Sequence, residues 1–147
     1  MKKISVNHGI LYGLITCLSF ILFFSSCKKE NKQLTCDQNV IISKAQYETA
    51  PHDAYSIISL KINDDCLAIK FSASGCDGNS WAPQLIDAGD VAKSLPPQRN
   101  LRLSLDNNEL CLAIVIKEIS FNIKGLQVKG TSKVWLNISD QRILYEY

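Results

Sequence analysis

Apolar and polar residues alternate strictly in several parts of this chain, and this pattern limits its possible folds. Five short runs place an apolar side chain at every second position: residues 58–62, 67–71, 101–105, 119–123 and 134–138. Successive side chains of a β-strand point to opposite faces of a sheet, so the pattern indicates strands with one buried face. Its repetition along a chain of 147 residues predicts an all-β fold.

Less regular segments complete the set of predicted strands. Residues 40–42 and 143–147 have the composition of short strands, and residues 110–116 are apolar at nearly every position, which is typical of a central strand covered on both faces. Turn-forming sequences separate the strands: Asn63-Asp64-Asp65, Asp77-Gly78-Asn79, Asp106-Asn107-Asn108, Lys124-Gly125 and Lys129-Gly130. The first and third are short enough to join neighbouring strands as hairpins.

Helical patterning is confined to two places. A helical turn is expected at residues 44–47, before Pro51, and another at residues 90–95, before Pro96-Pro97. About eight short strands separated by turns predict a β-sandwich, with no helix longer than two turns.

The first 26 residues have the composition of a secretory signal peptide. Lys2 and Lys3 precede an apolar stretch over residues 10–24, and no acidic residue occurs before Glu30. A membrane-spanning helix needs about 20 consecutive apolar residues. This stretch is shorter, and small and polar residues interrupt it, so residues 1–26 are expected to be removed on export.

The stretch ends in Phe24-Ser25-Ser26-Cys27, which resembles the lipobox of bacterial lipoproteins. The resemblance implies cleavage before Cys27 and lipid attachment to that cysteine, with Phe24 in place of the usual leucine. Lysine rather than aspartate follows Cys27, which by the sorting rule of enteric lipoproteins implies an outer-membrane location, facing either the periplasm or the surface. Residues 27–35 read as a polar tether and residues 36–147 as one domain. An ordinary secretory signal or an N-terminal anchor helix is the alternative.

The charges of the exported chain cancel. The sequence has 16 lysines and arginines and 14 aspartates and glutamates, and removal of Lys2 and Lys3 leaves equal numbers of each sign. They are interspersed and form no basic stripe, which disfavours nucleic-acid binding and adsorption to membranes through a polybasic surface. The expected membrane contact is the lipid on Cys27.

The cysteines are not equivalent. Of six in the sequence, Cys17 lies in the segment expected to be removed and Cys27 is the lipid site. Four remain for the domain: Cys36, Cys66, Cys76 and Cys111. An even number in an exported domain predicts disulfides, with three possible connectivities. A metal site would need closely spaced cysteine pairs or nearby histidines, and His52 is the only histidine left, so no metal or other cofactor is expected.

A family resemblance is found near the C-terminus. Residues 118–126, Glu-Ile-Ser-Phe-Asn-Ile-Lys-Gly-Leu, and residues 134–138, Val-Trp-Leu-Asn-Ile, resemble the last strands of immunoglobulin-like domains in exported bacterial proteins. Those commonly read Phe-x-Leu-Asp-Leu-x-x-Leu and then Gly-Thr-Tyr-x-Val-x-Val-Asn; Gly130-Thr131 is present here, but the tyrosine is not. The resemblance covers roughly residues 110–147 and implies an immunoglobulin-like antiparallel β-sandwich of about 7–9 strands, without implying a function. The whole chain is also similar to small uncharacterised bacterial lipoproteins.

The same resemblance favours one disulfide pairing. Such domains sometimes join a loop after an early strand to the start of a later one, which implies Cys76–Cys111 and leaves Cys36 for Cys66. The main alternative is Cys66–Cys76, across a single strand. It would require that strand to bend back, because ten extended residues hold their ends about 30 Å apart, whereas a disulfide needs about 4.4–6.8 Å between α-carbons.

Residues 74–81, Ser-Gly-Cys-Asp-Gly-Asn-Ser-Trp, form the most function-like segment. Its candidate ligand groups are a carboxylate, an amide, a hydroxyl and an indole: Asp77, Asn79, Ser80 and Trp81. A sugar-binding or calcium-binding loop has such a composition, but the calcium pattern is not met because Gly78 directly follows Asp77. A tryptophan close to a half-cystine more often packs on the disulfide, so a structural role is favoured over a ligand site.

The sequence contains no recognisable catalytic machinery. His52 would need a nucleophile to activate, and no Gly-x-Ser-x-Gly or equivalent motif accompanies it. The expected function is therefore non-enzymatic: a lipid-anchored binding or accessory module of the cell envelope, with a protein or glycan partner. Two alternatives are a small envelope enzyme or ligand carrier that uses residues 77–81, and a purely structural envelope lipoprotein.

Overall fold

The computed structural model describes residues 35–147. The predicted signal peptide, the predicted lipid site Cys27 and all but the end of the predicted tether lie outside the described residues. Within them, nine strands form two packed sheets, so the fold is all-β, as the alternating pattern predicts. No helix in this range is long and apolar enough to cross a membrane.

The strands are short and follow one another closely. In chain order they are β1 Gln38–Asn39, β2 Ile41–Ile42, β3 Ser56–Asn63, β4 Cys66–Gly75, β5 Gln84–Ala92, β6 Gln98–Ser104, β7 Ala113–Asn122, β8 Lys133–Ile138 and β9 Gln141–Glu146. Sheet I has the order β1-β7-β4-β3, and sheet II has the order β2-β5-β6-β8-β9. The helical elements of the described range are α1, Lys44–Thr49, and a 3-10 turn, Lys124–Leu126.

One core lies between the two sheets. Every second side chain of β4 points into it, and the facing strands of sheet II contribute in the same way. Its largest fully buried members include Tyr145, Phe71, Phe121, Leu67, Ile69, Leu85, Leu101 and Leu103. Burying one such side chain stabilises the fold by about 1.5–3 kcal/mol, so the period-two pattern is the main source of stability.

Strand β4 organises sheet I. It pairs antiparallel with β7 over its whole length, from Cys66 opposite Asn122 to Gly75 opposite Ala113. On its other side it forms the predicted hairpin with β3, closed by Asp64-Asp65, where Asp64 has a φ of 50°. Aspartate tolerates this left-handed conformation better than most residues do.

Two local predictions from the sequence are wrong, and one is confirmed. The turn at residues 106–108 does not close a hairpin, because β6 lies in sheet II and β7 in sheet I, so the chain crosses between sheets there. Residues 90–95 are not helical, since β5 continues to Ala92. The helical turn expected at residues 44–47 is present as α1, whose first turn is capped by the Ser43 hydroxyl.

The sheets are mixed rather than antiparallel throughout. Parallel pairs form between β1 and β7, between β2 and β5, and between β6 and β8. The chain leaves sheet II after β6, forms β7 in sheet I and returns to sheet II, so β8 runs in the same direction as β6. At the start of the domain, the segment on either side of Val40 gives one short strand to each sheet.

Strand β7 differs from the prediction in extent and in burial. The segments 110–116 and 119–123 were expected to be separate strands, and residues 110–116 to be covered on both faces. Instead, one strand runs from Ala113 to Asn122, and the outward side chains Ile114 and Ile116 are 70% and 55% exposed. The outer face of β7 is therefore largely open to solvent at these positions.

Strand β5 has no counterpart among the predicted strands. Its sequence includes Asp87 and Gly89, and its pairing with β6 is irregular between Asp87 and Val91. The Asp87 carboxylate is fully buried and accepts two hydrogen bonds from Arg99 of β6, from Nη2 at 2.7 Å and from Nε at 2.9 Å. A charged residue thus occupies an interior position that alternation alone cannot identify.

We expect Arg99→Met to destabilise the domain by about 3–5 kcal/mol, because it leaves the buried Asp87 carboxylate without its partner. Urea denaturation of the oxidised protein measures this difference. The double variant Asp87→Asn with Arg99→Met removes both charges and should recover much of the loss. Equal midpoints for wild type and Arg99→Met would contradict the assignment of a stabilising buried ion pair.

Candidate functional site

Two disulfides lie at opposite ends of β4. One joins Cys36 to Cys66, with 5.6 Å between their α-carbons, and the other joins Cys76 to Cys111, with 4.9 Å. This is the pairing that the sequence analysis preferred. Because Cys66 begins β4 and Cys76 directly follows it, the two bonds clamp the two ends of the sandwich.

The loop after β4 is built around the carboxylate of Glu109. Oε2 accepts hydrogen bonds from three consecutive backbone N–H groups, those of Cys76 at 2.5 Å, Asp77 at 3.2 Å and Gly78 at 3.0 Å. Oε1 accepts the Ser80 hydroxyl at 2.8 Å. Successive N–H groups that converge on one anion form a nest. Here the anion is the carboxylate of Glu109 of the same chain, two residues before Cys111.

These hydrogen bonds control the ionisation of Glu109. Desolvation raises the pKa of its carboxyl group. The hydrogen bonds from Gly78, Ser80, Cys76 and Asp77 together outweigh that effect and lower the pKa from 4.5 to about 2. The side chain is therefore ionised at any physiological pH, and its negative charge is available to the nest.

The candidate ligand groups of the loop bind one another. Asp77 accepts from the backbone N–H of Asn79 at 2.8 Å and from its side-chain amide at 2.9 Å. The Asn79 side-chain oxygen accepts from the Lys117 ammonium at 3.1 Å. The Ser80 hydroxyl donates to Glu109, so the polar side chains at 77, 79 and 80 all have hydrogen-bond partners within the protein.

Trp81 is a core residue at the edge of the sandwich. It is 8% exposed, and its ring centroid lies 5.9 Å from that of Phe71. A β-carbon at Gly75 or Gly78 would come within 2.8 Å or 3.1 Å of the indole, and Gly78 also has a φ of 69°. At Gly75 the close approach of the backbone to this ring leaves no room for a side chain, and at Gly78 the positive φ adds to a tight contact with the ring. The indole Nε1 has no hydrogen-bond partner in residues 35–147.

A cleft of about 320 Å³ opens beside Trp81. Its lining includes Asp37, Pro83, Lys117 and Glu118. The Asp37 carboxylate already accepts from the backbone N–H and the hydroxyl of Ser120, at 2.8 and 2.7 Å, and these bonds lower its pKa. Lys117 is bound to the loop, so two of the charged groups at this cleft have internal partners. No cluster of metal-binding side chains occurs in the part of the chain that the structure describes.

A second surface lies at the same end of the sandwich and was not predicted as a site. Four aliphatic side chains alternate along the chain before and within β7 and are largely exposed, and we call them the β7 stripe: Leu110 (94%), Leu112 (90%), Ile114 (70%) and Ile116 (55%). Ile114 and Ile116 share the outer face of β7, and Leu110 and Leu112 precede the strand. Isolated exposed aliphatic residues are ordinary, but several grouped in one region are typical of an interaction surface. Residues 110–116 are apolar on both faces, and the sequence does not indicate which face is covered.

The β7 stripe borders an unpaired strand edge. On the side away from β4, the partner of β7 is β1, and it pairs with Phe121 and Asn122 alone. No described strand pairs with residues 113–119 on that side. Exposed edges are normally protected by charge, proline, a bulge or a covering segment, because their free N–H and C=O groups pair readily with another strand. This edge combines free backbone groups with exposed aliphatic side chains.

Comparisons with known proteins support the fold and no more. No family model matches the chain, and no curated protein matches it. Among solved structures, it is similar to a DUF1344 protein of unknown function from Bacteroides vulgatus, with 15% identity and a TM-score of 0.52. It is also similar to a putative toxin related protein from Parabacteroides distasonis, with 20% identity and a TM-score of 0.50. Each match covers 75% of this chain but only 56% and 59% of the other chains.

We expect the contribution of Glu109 to stability to depend on pH. Its pKa is lower in the folded protein, about 2, than the usual 4.5, so the stabilisation is complete above about pH 4.5 and is lost as the pH falls through the folded value. Glu109→Gln should therefore lower the melting temperature by several degrees at pH 7, with a gap that narrows towards pH 2. Glu48→Gln, on the exposed surface of α1, is the control. A gap that does not change with pH would contradict this account.

Proposed function

We propose that this chain is a lipid-anchored, non-catalytic binding module of the bacterial cell envelope, and that it holds a protein partner along the open edge of β7. The observation that carries the proposal is the β7 stripe beside the unpaired residues 113–119. An extended segment of a partner can add a strand to such an edge, with backbone hydrogen bonds for affinity and alternate side chains for specificity.

The chemistry of this surface favours a protein over a glycan. The exposed side chains of the β7 stripe are leucine and isoleucine, which offer no hydrogen bonds to sugar hydroxyls and no aromatic face for a sugar ring. The free backbone groups of the edge are spaced to pair with another strand. The aromatic residue nearest to it in the candidate loop, Trp81, is buried. The use of residues 77–81 as an enzyme or carrier site has less support, because their polar side chains are already bound within the protein.

Lipid anchoring and an outer-membrane location are part of the proposal. Their support is the ending Phe24-Ser25-Ser26-Cys27 behind a short apolar stretch, followed by a polar tether. The two disulfides fit an oxidising compartment outside the cytoplasm. We also propose an immunoglobulin-like relationship, supported by the resemblance at residues 118–126 and 134–138, most of which lies on β7 and β8, and by the two packed sheets.

The lipid is testable directly. Cells that express the wild-type chain and are fed a fatty-acid probe should give a labelled protein, whereas Cys27→Ser should give none, because the thiol that receives the lipid is gone. Cys17→Ser, within the segment expected to be removed, is the matched control and should label as the wild type does. Equal labelling of wild type and Cys27→Ser would refute the anchor.

The binding surface is testable by site-specific crosslinking in intact cells. A photoreactive residue at Ile116 (55% exposed) should give a discrete adduct with one envelope protein, and the same residue at Ile42 (48% exposed, on β2 of sheet II) should not. Ile114→Lys should weaken the interaction with the captured protein by more than tenfold, about 1.4 kcal/mol. Adducts that are the same at both positions, or that contain glycan rather than protein, would contradict the proposed surface.

A further inference from the structure

The chain enters the sandwich at the end opposite to the β7 stripe. Cys36 is bonded to Cys66 and its sulfur lies 3.9 Å from the carbonyl oxygen of Asp65, in the turn between β3 and β4. The Asp65 carboxylate in turn accepts hydrogen bonds from Tyr145 and Gln127. We call this the entry end. The β7 stripe lies at the other end of β4, where Ala113 pairs with Gly75.

An apolar groove of about 460 Å³ lies at the entry end. Val128, next in sequence to Gln127, lines it and is tied to the C-terminal residue by a 2.7 Å hydrogen bond from its N–H to the Tyr147 hydroxyl. The opposite wall comes from the segment between β5 and β6, where Val91 is 38% exposed and Leu95 is 100% exposed. Leu95 is thus the most prominent aliphatic side chain of this end.

Hydrogen bonds of the neighbouring residues hold the backbone on both sides of Leu95. The Ser94 hydroxyl donates to the carbonyl oxygen of Pro96 at 2.6 Å and accepts the side-chain amide of Gln98 at 3.1 Å. The carbonyl oxygen of Pro97 accepts the backbone N–H of Trp135, on the neighbouring strand β8, at 2.9 Å. These bonds fix the residues around Leu95 on both sides, so its side chain is held away from the sandwich rather than left to collapse on it.

The charged side chains that line this groove have one sign. Lys93 and Lys129 line the groove, and none of its nine lining residues is acidic. An exposed leucine and two lysines that line one groove match the boundary of an anionic bilayer, where apolar side chains enter the acyl region and lysines meet the headgroups. Two lysines alone bind membranes weakly, which agrees with the absence of a polybasic stripe, but an anchored domain needs only a weak second contact.

The predicted tether brings the entry end within reach of such a surface. Nine residue steps separate Cys27 from Cys36, and a fully extended chain of that length spans at most about 30 Å. We propose that the entry end docks on the bilayer that holds the lipid of Cys27, with Leu95 inserted among the headgroups and Lys93 and Lys129 against their phosphates. This inference rests on the proposed lipid anchor, and it would direct the β7 stripe away from the membrane.

The test places one new tryptophan at each end of the sandwich. Leu95→Trp and Leu110→Trp replace leucines that are 100% and 94% exposed. The lipidated protein is reconstituted into vesicles of phosphatidylethanolamine and phosphatidylglycerol with brominated acyl chains, which quench a tryptophan that contacts them. Trp81 and Trp135 give the background, measured in the wild type. We expect strong additional quenching at position 95 and none at position 110.

Each outcome is decisive. Protein that does not float with the vesicles refutes the anchor, and with it the docking that rests on the anchor. Floating protein without quenching at 95, or with equal quenching at 95 and 110, refutes the docking alone. A blue shift at 95 without quenching indicates that protein, such as a second copy of the chain, covers the groove, and it also overturns the proposal.

The same quenching measurement also tests the role of the charges on Lys93, Lys129 and the lipid headgroups. Quenching at 95 should fall by at least half when phosphatidylcholine replaces phosphatidylglycerol, and Lys93→Glu with Lys129→Glu should lower it similarly in the anionic vesicles. Lys44→Glu, on α1, is the control and should leave quenching unchanged. If quenching is the same after both lysine substitutions and after the change of lipid charge, the proposed contact with the headgroups is wrong.

Discussion

Strand β4 is long and extended, and its length decides where the two disulfides and the two ends of the sandwich lie. A strand of ten residues between Cys66 and Gly75 holds its ends about 30 Å apart, so its two flanking cysteines cannot pair with each other and must find partners elsewhere. Its register with β7 sets which residues reach each end. The entry end and the β7 stripe are therefore separated by the full length of the sandwich.

Alternation predicts the strands that have one apolar face and fails where the interior is polar. Strands β4 and β8 follow the pattern, since their inward positions are aliphatic or aromatic, and β6 follows it at Leu101 and Leu103. In β3 the pattern misplaces Ile58, which is exposed, because a bulge between Ile57 and Ser59 turns Ile57 towards the core instead. Strand β5 does not, because its interior position is Asp87, whose partner Arg99 lies twelve residues further along the chain. From sequence alone, a carboxylate is predicted to be exposed unless it has a charged partner. The pairing of β5 with β6 brings Arg99 next to Asp87, and the sequence does not reveal that pairing.

Periodicity also cannot predict which strands are neighbours in a sheet. The pattern shows that a face is apolar but not which strand lies beside it, so the parallel pairs and the crossing between sheets after β6 were missed. The same gap explains the candidate site. Glu109 gives no sequence signal, and it becomes important because Cys76–Cys111 brings it beneath three N–H groups some thirty residues earlier. The sequence shows that residues 110–116 are apolar, but it does not show that one side of this segment is exposed to solvent.

The two disulfides also determine how the molecule would carry mechanical force. A pull on β7 near Ile114 passes through Cys111 to Cys76, along the backbone of β4 and through Cys66 to Cys36, which leads directly into the tether. Residues 37–65 and 77–110 lie outside this covalent route as closed loops, since the bonded cysteines are 30 and 35 residues apart in sequence. While both bonds are intact, tension between the proposed partner and the proposed lipid anchor stretches one strand and cannot draw out either loop.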